Sequence, residues 1–312
     1  MRDNQEWLGL AGSSDFVDFI SKDFHFYSSL YVRIRKAGDQ YIEGLEGVYY
    51  NAQNNFTLQY PLLLASVRVD DGQQVVTAKL KAVSAFVDIL IARRQWNWRL
   101  TSYSSMNYGM FSTMRDIRGK DLTEVVAVLN NRLEEEGLSF SKERRFALHG
   151  QNGPQVKRIL ARITDFVETE SERPSRYVEY LTSKGKKAYE IEHIWADHPE
   201  WHTEFDHPST FSDFRNRIGG LLLLPKSFNA SYNDLPYEKK RPHYLKQNLL
   251  AQSLHESAYE HNPGFRRFIE RTGLPFKPHS RFEVEDMEER SELYRQIADR
   301  VWSAKRLSVE VD

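Results

Sequence analysis

Residues between Glu190 and Arg241 carry side chains whose chemistry suits the hydrolysis of a phosphodiester bond. His193 is a candidate general base, because an imidazole with a pKa of about 6.5 is largely neutral at cellular pH. Glu192 and Asn229 supply a carboxylate and an amide oxygen, which are hard ligands of the kind that Mg²⁺ takes while it keeps several waters. A divalent ion there would stabilise the negative charge that develops on the phosphate and on the leaving oxygen. The pattern therefore predicts a site that uses Mg²⁺ or Mn²⁺.

A basic run, Lys239, Lys240 and Arg241, follows these residues and is predicted to position the DNA backbone. The net charge of the chain is −1, from 43 basic and 44 acidic residues, but a polyanion responds to the local potential. Residues 142–187 carry eleven lysines and arginines against six acidic residues, and residues 215–246 carry seven against two. DNA is therefore the predicted partner. Contacts with phosphates do not read base sequence, so specificity must come from another region or protein.

Two predicted strands and a helix must position the site. Tyr189, Ile191 and His193 alternate with acidic residues, which is the periodicity of a strand. Residues 218–224 form an apolar run closed by Pro225, typical of a short buried strand, although periodicity alone does not exclude a helix there. A segment rich in Asn and Ser then leads into a helix. The order strand, strand, helix, with a histidine at the end of the first strand, is that of a ββα-metal nuclease core.

The remainder of the chain is predicted to be helical. Apolar residues recur at spacings of three and four within residues 16–27 and again within residues 80–91. Asp121 opens a further helix, which Gly137 ends.

The predicted fold class is mainly α with a small β component. Residues 183–187 are rich in Ser, Gly and Lys and are the best candidate for a linker. We therefore predict an N-terminal helical domain over residues 1–185 and a nuclease domain over residues 186–312, with the ββα core embedded in helices.

Composition excludes several classes of protein. The chain has no cysteine, which excludes a disulfide scaffold, a thiol nucleophile and a cysteine-ligated zinc site. Its longest apolar stretch, residues 82–92, is interrupted by Asp88 and is shorter than the roughly 18 residues that a membrane span needs. Residues 1–5 lack the apolar core of a secretory signal. We therefore expect a cytoplasmic protein with no membrane partner.

Three segments also resemble a known family. They are Tyr189-Glu-Ile-Glu-His-Ile194, the segment from Asn216 to Pro225, and Asn229-Ala-Ser-Tyr-Asn233 followed by Lys239. This pattern resembles the HNH-type (His-Me finger) C-terminal nuclease domain of the GmrSD class of type IV, modification-dependent restriction enzymes. SspE-like antiphage nucleases are relatives of that class. The resemblance implies a metal-dependent endonuclease that nicks or cuts foreign or modified DNA in antiviral defence.

The resemblance also implies a role for each matching residue. His193 would be the general base and Glu192 a metal ligand. Asn216 would orient the histidine or brace the loop, and Asn229 would complete the metal site. Asn233 and Lys239 would hold phosphate.

Two positions depart from the usual pattern of this family. Ala196 stands where a proline is usual, which should alter only the path of the loop after the strand. Gly220 stands where an asparagine is usual, which leaves Asn216 and Asn229 as the remaining amides.

The same family usually begins with a nucleotide-dependent sensor domain that bears an Asp-Gly-Gln-Gln-Arg motif. Residues 71–74 match four of these letters, but Val75 replaces the arginine and the stretch lies between helical segments. We interpret the match as coincidental. The resemblance then implies a sensor domain that is supplied by a separate protein or is missing.

Two alternative functions remain open from the sequence. His198, His202 and His207 have spacings that could converge on zinc, although the prolines at 199 and 208 favour an irregular loop with ordinary histidines. The chain could also be a non-catalytic helical adaptor of a restriction system that binds DNA or protein, with the ββα element as a scaffold.

Overall fold

A computed structural model describes residues 8–143 and 145–308 of the chain. The structure is mainly helical and contains a two-stranded sheet, which confirms the coarse fold class. Contacts divide the chain into two compact units, residues 1–138 with 304–312 and residues 139–303. Residues 1–5, on which the expected absence of a secretory signal was based, lie outside the described residues.

The first unit is a set of helices around one long central helix. In chain order its elements are α1 (Ser13–Asp18), a π-helical stretch (Phe19–Phe24), α2 (His25–Asp39), α3 (Glu46–Gln53), α4 (Gln59–Ala65), α5 (Gln73–Trp96), α6 (Tyr103–Ile117), α7 (Leu122–Glu136) and a 3₁₀ turn (Ala304–Leu307).

Helix α5 forms the core of this unit. Its residues from Ala82 to Ala92 are all buried, and α3, α4, α7 and the 3₁₀ turn pack around it. A helix that is apolar on all sides must be enclosed by neighbours, so the apolar stretch predicted from the sequence is a buried helix. The Arg306 guanidinium donates to Asp88 Oδ2 at 2.8 Å and holds the 3₁₀ turn against α5.

The Asp-Gly-Gln-Gln stretch at residues 71–74 forms the start of α5. Gly72 is the N-cap residue. Asp71 Oδ2 accepts hydrogen bonds from Lys79 Nζ at 2.7 Å and from the backbone N–H of Arg68 at 2.9 Å. These contacts give the stretch a structural role.

Helix α7 shows the predicted capping. The Asp121 side chain accepts a hydrogen bond from the Glu124 N–H, and the Glu124 side chain accepts one from the Asp121 N–H. Gly137 ends the helix in the left-handed conformation. This reciprocal arrangement satisfies backbone groups that the first and last turns leave unpaired.

The second unit contains the sheet and the remaining helices. In chain order its elements are α8 (Gly153–Glu170), α9 (Tyr177–Thr182), a 3₁₀ turn (Gly185–Lys187), β1 (Tyr189–His193), a 3₁₀ turn (Pro199–Trp201), α10 (Pro208–Arg215), a 3₁₀ turn (Ile218–Gly220), β2 (Leu221–Pro225), α11 (Lys226–Tyr232), α12 (Tyr237–Tyr244), α13 (Leu249–Gln252), α14 (Ser257–His261), α15 (Pro263–Thr272) and α16 (Val284–Val301).

Strands β1 and β2 are antiparallel, and α11 packs against both of them. His193 lies opposite Leu221, and Glu192 lies opposite Leu222. The predicted second strand is confirmed over residues 221–225, whereas residues 218–220 form a 3₁₀ turn. Leu221 to Leu224 are fully buried, which explains why this strand reads as a continuous apolar run.

The division between the units lies at residues 138 and 139, and this differs from the division at residue 185 expected from linker composition. The physical reason is the position of α8. Its apolar residues, among them Ile159 and Ile163, are buried where the helix packs against β2, α13 and α16. Residues 159–165 of α8 are all buried, so the helix stays with the elements that enclose it.

Over residues 8–143 and 145–308, no helix combines the length and the apolar character needed to cross a membrane.

Candidate active site

His193 ends β1 and is held by Asn216. The distance between His193 Nε2 and Asn216 Oδ1 is 2.8 Å. Because an amide oxygen can only accept, this contact favours the tautomer with the imidazole proton on Nε2 and the lone pair on Nδ1. The Nδ1 atom has no hydrogen bond to any residue that the structure describes. In this tautomer the lone pair on Nδ1 is not engaged by a described residue.

Asn216 is fixed by two segments of chain. It is the C-cap residue of α10, and its backbone oxygen accepts from the Leu148 N–H at 2.8 Å. The next residue, Arg217, forms an isolated antiparallel bridge with Ala147. These contacts set the position of the side chain that holds His193.

Burial lowers the pKa of His193 to about 4, and the positive charges of Arg215 and Lys240 act in the same direction. The hydrogen bond with Asn216 opposes this shift. The imidazole is therefore neutral at neutral pH. Its pKa lies below the value of about 6.5 expected from the sequence, and this makes it a weaker base than an unperturbed imidazole.

Glu192 lies beside His193 and forms a buried ion pair. Lys240 Nζ is 2.7 Å from Glu192 Oε1 and 2.9 Å from the backbone oxygen of His193. The side chains are 1% and 0% exposed, respectively. Burial raises the pKa of Glu192 and lowers that of Lys240, while the contact between them opposes both shifts.

This ion pair corrects the prediction that Lys240 contacts DNA phosphate. Lys240 lies on α12 with its ammonium inside the protein, so no phosphate can reach it. The sequence indicated a positive charge at this position but not its burial. The ammonium instead neutralises Glu192 and holds the backbone at the end of β1.

Glu192 and Asn229 each retain a buried oxygen without a hydrogen-bond partner. Glu192 Oε2 and Asn229 Oδ1 are buried and make no hydrogen bond to a described residue, while Asn229 Nδ2 donates to the Ile191 oxygen at 3.4 Å. A buried polar atom without a partner is costly, and hard oxygens are the ligands of Mg²⁺ and Mn²⁺. Both atoms are thus of the chemical kind that binds a hard divalent cation.

The other predicted phosphate-binding residues differ in their surroundings. Asn233 and Lys239 are exposed. Arg241 is mostly buried, donates from Nε to the Leu254 oxygen at 3.2 Å and pairs with Glu256. Asn233 and Lys239 are thus free to meet a phosphate, whereas Arg241 is already engaged by the protein.

The histidines considered for zinc serve separate local contacts. His198 lies between Glu200 and Asp234, at 2.7 and 3.0 Å. His202 packs against Trp195, with ring centroids 4.2 Å apart.

His207 accepts from the Ser209 N–H at the start of α10. In the described part of the chain, the His, Asp and Glu side chains close enough together to hold a metal ion are instead those of His279, Asp286 and Glu289. The three loop histidines thus do not converge on one ion.

Ala196 and Gly220, the two positions that depart from the family pattern, are both buried. A Cβ atom on Gly220 would lie 2.5 Å from Met287 Sδ, and one on the neighbouring Gly219 would lie 2.4 Å from the Ser291 nitrogen. The paired glycines therefore allow α16 to approach the site. Ala196 is 3% exposed, so the loop after β1 turns inward at this position.

Arg215 is a residue of the site that the sequence did not single out. Its Nε donates to the Trp195 oxygen at 3.1 Å, two residues beyond His193. Its position immediately before Asn216 is the one signal in the sequence that places it near the histidine.

Residues 135–272 match the family model described as GmrSD restriction endonucleases, C-terminal domain. This part of the chain is therefore a GmrSD-type nuclease domain, in agreement with the resemblance drawn from the three segments around His193. The match begins before the predicted boundary at residue 185 and ends before α16. No curated protein and no solved structure matches the chain.

Proposed function

We propose that this chain is an HNH-type, metal-dependent DNA endonuclease in which His193 is the general base. The family match supports a nuclease with DNA as its substrate. The observation that carries the finer proposal is the contact between His193 Nε2 and Asn216 Oδ1, which leaves Nδ1 available on a neutral ring. The order β1, β2, α11, with α11 packed on both strands, supports a ββα-metal core.

The proposed reaction is hydrolysis of a phosphodiester. The oxygen of a water molecule attacks phosphorus while its proton passes to His193 Nδ1. The new P–O bond forms as the bond to the leaving 3′ oxygen breaks, and that oxygen takes a proton from solvent. Asn216 keeps the imidazole in the required tautomer and orientation throughout this step.

The proposed cofactor is Mg²⁺ or Mn²⁺. Glu192 Oε2 and Asn229 Oδ1 would hold it, because each is a buried oxygen without a hydrogen-bond partner in the described structure. When bound, the ion would stabilise negative charge on the phosphate and on the leaving group. Lys240 Nζ donates a hydrogen bond to the other oxygen, Glu192 Oε1, so Oε2 is the single ligand atom that the carboxylate has free.

DNA contacts are proposed for the exposed residues Asn233 and Lys239, which flank the start of α12. They would position the backbone without reading its sequence. Specificity for foreign or modified DNA in antiviral defence would then be supplied by a separate sensor domain or by other parts of the chain.

Supercoiled plasmid provides the test. The full chain is incubated with plasmid in Mg²⁺, in Mn²⁺ and in EDTA, beside the His193→Ala variant, and DNA binding is measured separately by fluorescence anisotropy. We expect metal-dependent nicking or cutting by the native protein, its loss in His193→Ala, and DNA binding by both proteins. Equal cleavage by the two proteins would remove His193 from the mechanism. Binding without cleavage by either would establish a non-catalytic adaptor.

A further inference from the structure

Arg215 is a largely buried cation at the end of α10. Its side chain is 12% exposed. Its Nε donates to the Trp195 oxygen at 3.1 Å, and the next residue in the chain is Asn216, which holds His193. The guanidinium is thus held on the loop that follows β1, and the Arg215 backbone adjoins the residue that contacts the imidazole.

The charge of Arg215 is poorly compensated. Its ion-pair contact is with Asp197, at 4.0 Å between Nε and Oδ1, and the Asp197 side chain is 75% exposed. Neither terminal nitrogen donates a hydrogen bond to any residue that the structure describes. Burial lowers the pKa of Arg215, which shows that the environment disfavours the cation. A guanidinium in water-depleted surroundings normally pairs with a carboxylate or a phosphate.

The neighbouring arginine makes a useful comparison. Arg217 pairs with Glu288 at 3.1 Å and lies over the Phe214 ring at 3.5 Å from its centroid. It therefore has both a counter-ion and an aromatic partner. Arg215 has only the long contact with the exposed Asp197, and no aromatic ring lies under it in the described structure. Its charge is also one of those that lower the pKa of His193, which places it near the imidazole.

We propose that Arg215 is a catalytic residue that binds a non-bridging oxygen of the scissile phosphate through its terminal nitrogens. The proposal rests on the nuclease function proposed above and adds to it the group that holds the reacting phosphate beside His193. Two parallel N–H donors match the geometry of a phosphate, and they strengthen as charge develops on it. An ammonium at this position would not reproduce this fork.

The test compares Arg215→Lys and Arg215→Ala with the matched control Arg217→Lys, all in the full chain. Each protein is assayed on supercoiled plasmid and on bis(p-nitrophenyl) phosphate in Mn²⁺, beside the native protein and His193→Ala. The small diester cannot reach distant surface lysines, so a defect on both substrates locates the effect at the reacting phosphate. Thermal unfolding reports whether each variant is folded.

We expect Arg215→Lys to unfold at the native temperature and to lower kcat/KM by about 10²-fold on both substrates. Free guanidinium ion at low millimolar concentration should restore part of the activity of Arg215→Ala, which a purely structural defect would not allow. Arg217→Lys should stay within about twofold of the native protein.

Two results would overturn the proposal. If the native protein cleaves, His193→Ala does not, and Arg215→Lys matches the native rate on both substrates, then Arg215 has no role in the reaction while the nuclease function stands. If neither the native protein nor His193→Ala cleaves either substrate, both the nuclease function and the role of Arg215 are wrong.

Discussion

Lys240 and Glu192 form a fully buried ion pair, with Nζ and Oε1 separated by 2.7 Å, directly behind the histidine that ends β1. The same ammonium also donates to the His193 backbone oxygen at 2.9 Å. One cation thus joins α12 to the end of β1. It supplies the counter-charge that favours the ionised form of Glu192 in the protein interior.

The first prediction concerns this ion pair. Lys240→Met leaves Glu192 buried without its counter-charge, which should lower the free energy of unfolding by about 3–5 kcal/mol. Urea denaturation measures this loss. The exposed neighbour gives the control, since Lys239→Met should change stability by less than about 0.5 kcal/mol. Adding Glu192→Leu to Lys240→Met should recover part of the loss. A Lys240→Met variant as stable as the native protein would show that the pair is not formed.

The second prediction concerns Gly219. Its missing Cβ would lie 2.4 Å from the Ser291 nitrogen and 2.5 Å from the Met287 oxygen, both backbone atoms of α16. Gly219→Ala should therefore force α16 away and destabilise the protein by about 1–3 kcal/mol. Gly150→Ala is the control, because a Cβ there meets no atom within 4 Å. Equal stability of the two variants in thermal unfolding would contradict the close approach of α16.

Features of the fold that depend on local signals could be predicted from the sequence, and features that depend on distant contacts could not. Local periodicity correctly predicted β1, the capped helix α7 and the buried β2, because strand alternation, capping residues and apolar runs are local signals. The association of Asn216 with His193 came from the resemblance to the family and not from periodicity. The burial of Lys240 could not be predicted, since a charged side chain in a basic run looks solvated until its partner 48 residues away is known. The position of α8 depends in the same way on contacts with distant elements.

The third prediction uses His198, which Glu200 and Asp234 contact on its two nitrogens. The hydrogen bond with Glu200, followed by that with Asp234, raises the pKa of His198. Its contribution to stability is therefore fully present below the pKa of the unfolded-state imidazole, and it is lost as pH rises through the higher folded-state pKa.

NMR titration of the His198 ring tests this shift. The midpoint should lie above the reference value of about 6.5. Asp234→Asn should lower the midpoint while His198 keeps its contact with Glu200. A midpoint at or below the reference value, unchanged in Asp234→Asn, would show that the loop after β1 is not linked to Asp234.

The fourth prediction concerns Lys239, the exposed lysine of α12 that is proposed to contact DNA phosphate. Lys239 is exposed, so Lys239→Gln should weaken DNA binding at every sequence and reduce the slope of log affinity against log salt by about 1. Lys277→Gln is the control, because Lys277 is exposed to a comparable degree but pairs with Glu289. Fluorescence anisotropy over a series of salt concentrations gives both slopes. An unchanged slope in Lys239→Gln would exclude a phosphate contact at this residue.

The most direct test of the central claim is the single-turnover rate of phosphodiester cleavage in His193→Ala. Removal of a general base should lower that rate by about 10²- to 10⁴-fold, while the protein remains folded and binds DNA. His261→Ala, at a histidine whose side chain is 76% exposed, should cleave at the native rate. If His193→Ala cleaves DNA as fast as His261→Ala, the imidazole at the end of β1 does not activate water and the proposed mechanism is wrong.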